Sequence, residues 1–447
     1  MFENLTKKFH SISQWNLFGS MFFESIKLIN QFFLLKFMTL SSYGKLGSIF
    51  SIVFLFIHLI GFEAESSLSP FISDATESQK GFKNFFLKYF TAQFFLLLIG
   101  SCIYIIIFYN KFELSLIVIP TLLILLEGIR ILFRALLHIL FLSKKTILIE
   151  TALTFLFIGI IWLPFFVTNQ LISIPTILGA YLLTSLLALI FFFKIIKDFY
   201  NTLPEETINH RSTNTFKRIL KIRLYNSLIK IPENIFSENF IVPFFAFKFG
   251  YSQAGIFKIA SYIARSIKSI IHSVIGFSGG GLFASLKKES LQIKQKAFYI
   301  LSNKLNRILI FMLIFLTINY NYLMSKLYST QTVILATILF LIYAISEHLL
   351  TIYEQFYVLE ETIEKLFIIK TLEISFFSLI LYFGKNFSPI EFCIMLLAVR
   401  TVIFFTLALD AFTRWGLKIN TKISWPFFLI TTAISIFFYF LTFLLFF

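Results

Sequence analysis

Only two cysteines, Cys102 and Cys393, occur in the 447-residue chain, and each falls inside a long apolar run. That excludes a disulfide framework and a thiolate metal centre, both of which need paired or clustered cysteines. Charge is scarce as well. Asp, Glu, Lys and Arg make up 14% of the residues against 58% hydrophobic ones, too little polar surface to enclose the apolar residues in a water-soluble core. The sequence has no P-loop, no dinucleotide fingerprint and no metal-ligand cluster, so soluble-enzyme chemistry has no residues to carry it, and no cofactor or metal is expected. Large extracytoplasmic loops, which a membrane polymerase or ligase needs for sugar chemistry, are absent from the pattern of apolar runs.

Acidic residues are the rarer charge, 23 against 39 Lys and Arg, for a formal net charge of +16. A basic balance suits nucleic acid, but most of it sits in short gaps between apolar stretches, where membrane orientation accounts for it, and no nucleic-acid motif accompanies it. The gaps alternate. Those at 41–46, 110–113, 246–251, 324–330 and 384–390 hold one basic residue each: Lys45, Lys111, Lys248, Lys326 and Lys385. The longest gap, 194–223, holds Lys194, Lys197, Arg211, Lys217, Arg218, Lys221 and Arg223. Lys and Arg near helix ends resist translocation, so the basic gaps stay cytoplasmic. This puts the N-terminus and residues 198–218 inside and the turns at Lys111, Lys248 and Lys385 outside. The stretch after the first fourteen residues contains Glu24, Lys27 and Lys36 and no small-residue cleavage site, so it reads as a first transmembrane helix rather than a signal peptide.

Long apolar runs are what the chain has in plenty. They predict helices at 15–40, 46–69, 87–109, 114–142, 146–167 and 174–196, then at 222–246, 252–284, 303–323, 331–357, 364–383, 390–412 and 423–446. Each is long enough for a hydrocarbon layer of about 30 Å, and the runs are continuous rather than alternating, which argues against a β-barrel. The expected fold is an all-α polytopic membrane protein. An N-terminal six-helix lobe spans 1–197, a cytoplasmic linker loop 198–217 and a C-terminal six-helix lobe 218–415, with an additional transmembrane helix in 416–447.

The halves read as diverged copies. The second helix follows Tyr43-Gly44 and runs through Gly47 and Phe50, and the eighth follows Gly250-Tyr251 and runs through Gly255 and Phe257. The stretches GIRILFRALLHILFLSKKTILIETALTFLFIG and ISEHLLTIYEQFYVLEETIEKLFIIKTLEISF share a polar face leading through a short charged turn. Six helices per half, an even number, implies a parallel repeat about an axis along the membrane normal.

Charged stripes lie inside these segments. On the eighth, Lys258, Arg265, Lys268 and His272 fall within an arc of about 80° at 100° per residue. A central Lys or Arg facing lipid costs about 2.5–3.5 kcal/mol, so a water-filled cavity or carboxylate partners are expected beside the stripe. The seventh segment carries Arg223, Asn226, Lys230, Glu233 and Ser237, with Asn234 and Glu238 near the edge and Pro232 interrupting the backbone ladder. The first contributes Glu24, Lys27 and Gln31, and the fourth Glu127, Arg130, Arg134 and His138. Glu24 with Lys27 and Glu127 with Arg130 have the spacing of structural ion pairs. Arg130, Arg134 and His138 stand toward the cytoplasmic end, where long basic side chains snorkel, as does Lys258 near the outer boundary. Arg265 and Lys268 sit well inside their segment, where a binding role is favoured. Gly276, Gly279, Gly280 and Gly281 permit bending or close helix approach. Glu347, His348 and Glu354 give the tenth helix an acidic character where the fourth is basic.

The two-times-six layout, the basic middle loop, the YG turn after the first helix, and RLYNSLIKIPENIFSENFIVPFFAFKFGYSQAGIFKIASYIAR at 223–265 resemble the polysaccharide flippases of the multidrug/oligosaccharidyl-lipid/polysaccharide (MOP) superfamily. The resemblance covers nearly the whole chain in architecture. It implies a transporter rather than an enzyme: two lobes with alternating access that move an undecaprenyl-pyrophosphate-linked sugar or oligosaccharide across the bacterial cytoplasmic membrane for O-antigen or other surface polysaccharide. Arg265, Lys268, Lys230, Lys258 and Lys27 would then receive the pyrophosphate. Glu24, Glu233, Glu238 and Glu347 would be ion-coupling or charge partners, and Gly279, Gly280 and Gly281 a hinge. Expected partners are the lipid-linked glycan, membrane lipids and the polysaccharide polymerase or export machinery. Two further readings remain at this point: a cation-coupled multidrug antiporter of the same fold, which favours a carboxylate-dominated cavity, and a non-transporting membrane scaffold.

Overall fold

A computed structural model of the chain describes residues 33–61, 78–140, 142–168, 172–205, 234–262, 290–315, 330–348 and 363–418, with scattered positions between them. The long elements are α1 (Leu40–Ile60), α2 (Gln79–Phe108), α3 (Ser115–Ile139), α4 (Ser143–Thr168), α5 (Ile174–Tyr200), α6 (Glu238–Phe249), α7 (Leu291–Phe315), α8 (Thr330–His348), α9 (Ile363–Phe383) and α10 (Pro389–Trp415), the last two joined by a 3-10 turn at Gly384–Asn386. The fold is all-α, with no strand among the described residues. Seven of the described helices, α1 to α5, α9 and α10, are long and apolar enough to cross a membrane. The predicted helix at 423–446 lies outside the described residues, as does most of the 198–217 loop.

Several helix boundaries shift from the sequence expectation because capping, not hydropathy, sets them. The second helix starts at Leu40 rather than 46, since Thr39 is extended and its side chain accepts from the Ser42 N–H at 3.1 Å. Tyr43 and Gly44 therefore lie inside the first turns of α1 rather than before it. The third starts at Gln79 rather than 87, because the Ser78 side chain caps the Gly81 N–H at 3.1 Å and carries the helix past Lys80, Lys83 and Lys88. The expected single helix at 222–246 is broken. Residues 234–235 are helical, Phe236 and Ser237 form a turn in which Ser237 Oγ donates to the Asn234 carbonyl at 2.6 Å, and α6 begins afresh at Glu238. Gly250, at φ 86°, ψ 164°, adopts a conformation open to glycine alone and turns the chain from α6 into a new helix at 251–262.

The chain divides into two compact units, one spanning Phe32–Gly255 and the other taking in the described residues on either side of it. In the first, α3 packs against α5 and α2, α4 against α5, and α1 against α6. Its core gathers Phe82, Phe85 and Tyr89 of α2, Leu132, Phe133, Leu136 and Leu137 of α3, and Ala188, Phe192, Ile195 and Ile196 of α5. Lipid is as apolar as these side chains, so close packing and not exclusion from water holds such helices together. In the second unit α10 packs on α8 and α9. At the C-terminal end of α10 the Trp415 ring meets Phe356 and Tyr357, with centroids 5.1 and 4.9 Å apart. Gln295 of α7 donates to the Trp415 carbonyl at 2.5 Å.

Within the first unit the first turn of α1 and residues 251–255 run side by side with no room for a side chain. A Cβ on Gly44 would lie 1.8 Å from the Tyr251 carbonyl oxygen, and one on Gly255 would lie 2.5 Å from the Leu40 carbonyl oxygen.

Candidate functional site

On α3, Glu127, Arg130 and Arg134 recur at one helical face. Glu127 is 3% exposed and accepts from three groups: Ser185 Oγ at 2.7 Å, the Tyr181 hydroxyl at 2.9 Å and Arg130 Nη1 at 3.0 Å. Arg130 lies over the Tyr181 ring, 5.8 Å from its centroid, and its Nη2 faces Glu150 Oε1 of α4 at 3.5 Å. Arg134 Nη1 faces the same oxygen at 3.6 Å. Three helices thus meet on two carboxylates and two guanidinium groups. The expected Glu127–Arg130 ion pair is present.

The second unit carries a matching network. Glu354, which precedes α9, with Lys370 and Glu373 of α9 and Arg400 of α10, again makes two acids and two bases. Lys370 Nζ lies 2.7 Å from Glu354 and 3.9 Å from Glu373, and Arg400 Nη1 lies 2.6 Å from Glu373. Their positions repeat those of the first unit. Glu150 and Lys370 are each the eighth residue of their helices, α4 and α9. Arg134 and Glu354 each stand nine residues before those helices begin. Ser185 and Arg400 are each the twelfth residue of helices, α5 and α10, that are both 27 residues long and both capped by a serine, Ser173 and Ser388. The Arg134–Glu150 contact and the Glu354–Lys370 contact are therefore the same contact with the charges exchanged. Neutral quartets of this kind remove most of the cost of placing charge at membrane depth.

Arg223, which the sequence places on a polar stripe, is fully buried in the first unit. Its Nη2 donates to the Gly61 carbonyl at 2.5 Å and to Gln93 Oε1, and the guanidinium lies 5.1 Å from the Tyr89 ring centroid. It ties the segment after the middle loop to the end of α1 and to α2.

Of the residues expected to bind substrate, Lys27 is half-buried on a helical stretch, Lys258 is half-buried in the helix at 251–262, and Arg265 is helical and exposed. All three belong to the same compact unit. Lys268 and Lys230 lie outside the described residues, as do Glu24, Glu233, Gly279, Gly280 and Gly281. Glu238 is buried at the first position of α6, and Glu347 falls in the last turn of α8. Glu150, Lys370, Glu373 and Arg400 were not singled out by sequence. The signal was there in the two aligned stretches, where each of Glu150 and Lys370 follows a charged turn by the same interval.

Sequence comparison finds no match to any family model and none to a curated protein. The fold, in contrast, has solved neighbours. A MATE transporter of Vibrio cholerae, VcmN, superposes with a TM-score of 0.55 at 14% identity, over 92% of this chain and 98% of that one. The lipid II flippase MurJ in an inward closed conformation gives 0.53 at 16% identity, over 98% and 93%. An outward-facing multidrug resistance MATE family transporter of the MOP superfamily gives 0.50 at 13% identity, over 91% and 95%. The chain has the fold of MOP-superfamily transporters and is a multi-pass membrane protein.

Proposed function

We propose that the protein is a flippase that moves an undecaprenyl-pyrophosphate-linked sugar or oligosaccharide from the inner to the outer leaflet of the bacterial cytoplasmic membrane by alternating access. It hands the glycan to a polymerase or export machinery for surface polysaccharide. One observation carries this reading: the segment 251–284 holds Lys258, Arg265 and Lys268 on one face and not a single acidic residue. Such a helix repels a cationic drug and attracts a pyrophosphate, for which Arg offers a two-pronged donor and Lys a mobile point charge. A pyrophosphate drawn to such a cationic face lets the substrate bias the lobes between states. The loop charges orient the chain with its N-terminus in the cytoplasm and the turns at Lys111, Lys248 and Lys385 outside.

The test is flipping of a fluorescent undecaprenyl-pyrophosphate-linked sugar in proteoliposomes, normalised to inserted protein. Arg265→Ala is expected to lower the rate at least about tenfold, the scale of one lost charge-assisted contact, and Arg265→Lys to retain part of it. Wild-type flipping by an Arg265→Ala, Lys268→Ala double variant overturns the reading. So does efflux of a cationic dye driven by a sodium or proton gradient without any flipping, which is the antiporter result.

A further inference from the structure

Arg223 differs from the other buried cations. Lys294, Lys370 and Arg400, the other buried Lys and Arg among the described residues, each face a carboxylate at 2.6–2.9 Å, those of Glu360, Glu354 and Glu373. Among the described residues no carboxylate faces Arg223. Its Nη2 spends both protons on the Gly61 carbonyl and Gln93 Oε1, which are uncharged, while Nε and Nη1 are buried with no hydrogen-bond partner. What stands against the charge is the carboxyl end of α1, whose last carbonyls carry about half an elementary negative charge. The place is deep. Gln93 is the fifteenth of the thirty residues of α2, a helix long and apolar enough to cross the membrane, and α1 ends beside it: a Cβ on Gly61 would lie 2.9 Å from Gln93 Nε2. A guanidinium is costly to bury at that depth, and the helix end offsets its charge only in part, so a full anion competes well for it.

We infer that Arg223 is a switch residue: it rests on the carboxyl end of α1 and leaves it for a phosphate anion that enters at mid-membrane, so that anion binding and release of α1 are one event. Arginine grips a phosphate through two adjacent N–H groups, and Nη2 belongs to both edges of the guanidinium that can do so, one shared with Nε and the other with Nη1. Its protons must leave Gly61 and Gln93 before either edge closes on phosphate. The unpartnered Nε and Nη1 give the anion a first contact at each edge. Because Arg223 ties the segment after the middle loop to α1 and α2, the same event frees that segment from both helices. That the anion is the pyrophosphate of a lipid-linked sugar rests on the proposed flippase role. The switch itself asks only for phosphate.

Release of α1 is read by amide hydrogen exchange at residues 57–61, its last turn, in full-length protein in detergent. The probes are undecaprenyl pyrophosphate, inorganic pyrophosphate and, as the phosphate-free control, undecaprenol. In the wild type undecaprenyl pyrophosphate is expected to speed exchange there about tenfold and undecaprenol to leave it unchanged. Arg223→Gln keeps an N–H donor for the Gly61 carbonyl and loses the charge, so its exchange should not respond, and its dissociation constant for undecaprenyl pyrophosphate should rise about tenfold. Arg223→Lys, which keeps the charge without the two-pronged edges, should respond in part. If Arg223 is merely structural, exchange in the wild type ignores the ligand or Arg223→Gln responds as wild type does, and either result overturns the switch. Should Arg223→Gln not elute as wild type, Gln93→Leu is measured in its place. It removes one neutral holder of Nη2 and is expected to tighten undecaprenyl pyrophosphate about threefold, while no change or a weakening overturns the switch. An equal response to inorganic pyrophosphate supports the switch and assigns it to phosphate without its lipid. An Arg223-dependent response in a protein that flips no lipid-linked sugar leaves the switch standing and the flippase reading refuted, and flipping without that response does the reverse.

Discussion

Gly44 and Gly255 are each the fifth residue of the helix that contains it, and each would drive a Cβ into the first carbonyl of the other's helix, at Tyr251 and Leu40 respectively. The contact is reciprocal. Helices meeting through glycine in this way approach backbone to backbone, the arrangement that gives membrane helices their closest packing.

Substituting Gly44 by Val is expected to abolish this approach, because the obstructing atom at 1.8 Å is backbone and not a movable side chain. Overpacking of this kind costs about 1–3 kcal/mol or more. The same change at Gly159, where a Cβ meets nothing within 4 Å, is the control. Thermal unfolding in detergent, followed by size-exclusion fluorescence, should show a markedly lower midpoint for Gly44→Val than for Gly159→Val. Equal midpoints would mean that the helices do not meet here.

The close approach also shows what the sequence made legible and what it hid. Apolar runs locate most of α2 to α5, α9 and α10, since hydropathy is what a lipid-crossing helix must satisfy. They misplace starts at Thr39 and Ser78, because a capping side chain extends the helix through polar residues that hydropathy discounts. The YG and GY dipeptides marked both helix starts, but not that they meet. That Gly44 and Gly255 are partners follows from which carbonyl each glycine would touch. The i,i+3 rule found Glu127–Arg130 because both ends lie on one helix. Glu150 with Arg134, and Arg400 with Glu373, pair across helices, so no spacing within a segment reveals them. The exchange of charge between Glu150 and Lys370 hides the repeat from any comparison that seeks like residues.

Glu373 is fully buried between Arg400 and Lys370, and a buried pair that loses one partner leaves an uncompensated charge costing about 3–5 kcal/mol. Glu373→Gln should therefore lower stability strongly. Removing the opposite charge as well, in Glu373→Gln with Arg400→Met, should recover much of the loss, because the quartet keeps Glu354 with Lys370. Unfolding midpoints of the two single variants and the double variant supply the cycle. Strictly additive losses would show that Glu373 and Arg400 do not act as a pair in the folded protein.

The last prediction concerns orientation, which the loop charges set and the helix connections make testable at three exposed lysines. Lys111 follows α2, Lys145 opens α4 and Lys385 follows α9. Because α2, α3 and α4 succeed one another through short turns, Lys111 and Lys145 belong to opposite membrane faces, one turn on either side of α3. The basic-inside bias puts Lys145 in the cytoplasm and Lys111 and Lys385 outside. The test uses a background with Cys102→Ala and Cys393→Ala, so that only the introduced cysteine reacts. A membrane-impermeant maleimide added to intact cells or spheroplasts should label Lys111→Cys and Lys385→Cys but reach Lys145→Cys only after permeabilisation. The reverse pattern would invert the protein in the membrane. Labelling of Lys111→Cys without Lys385→Cys would instead require the two halves to differ in orientation, which contradicts a parallel repeat.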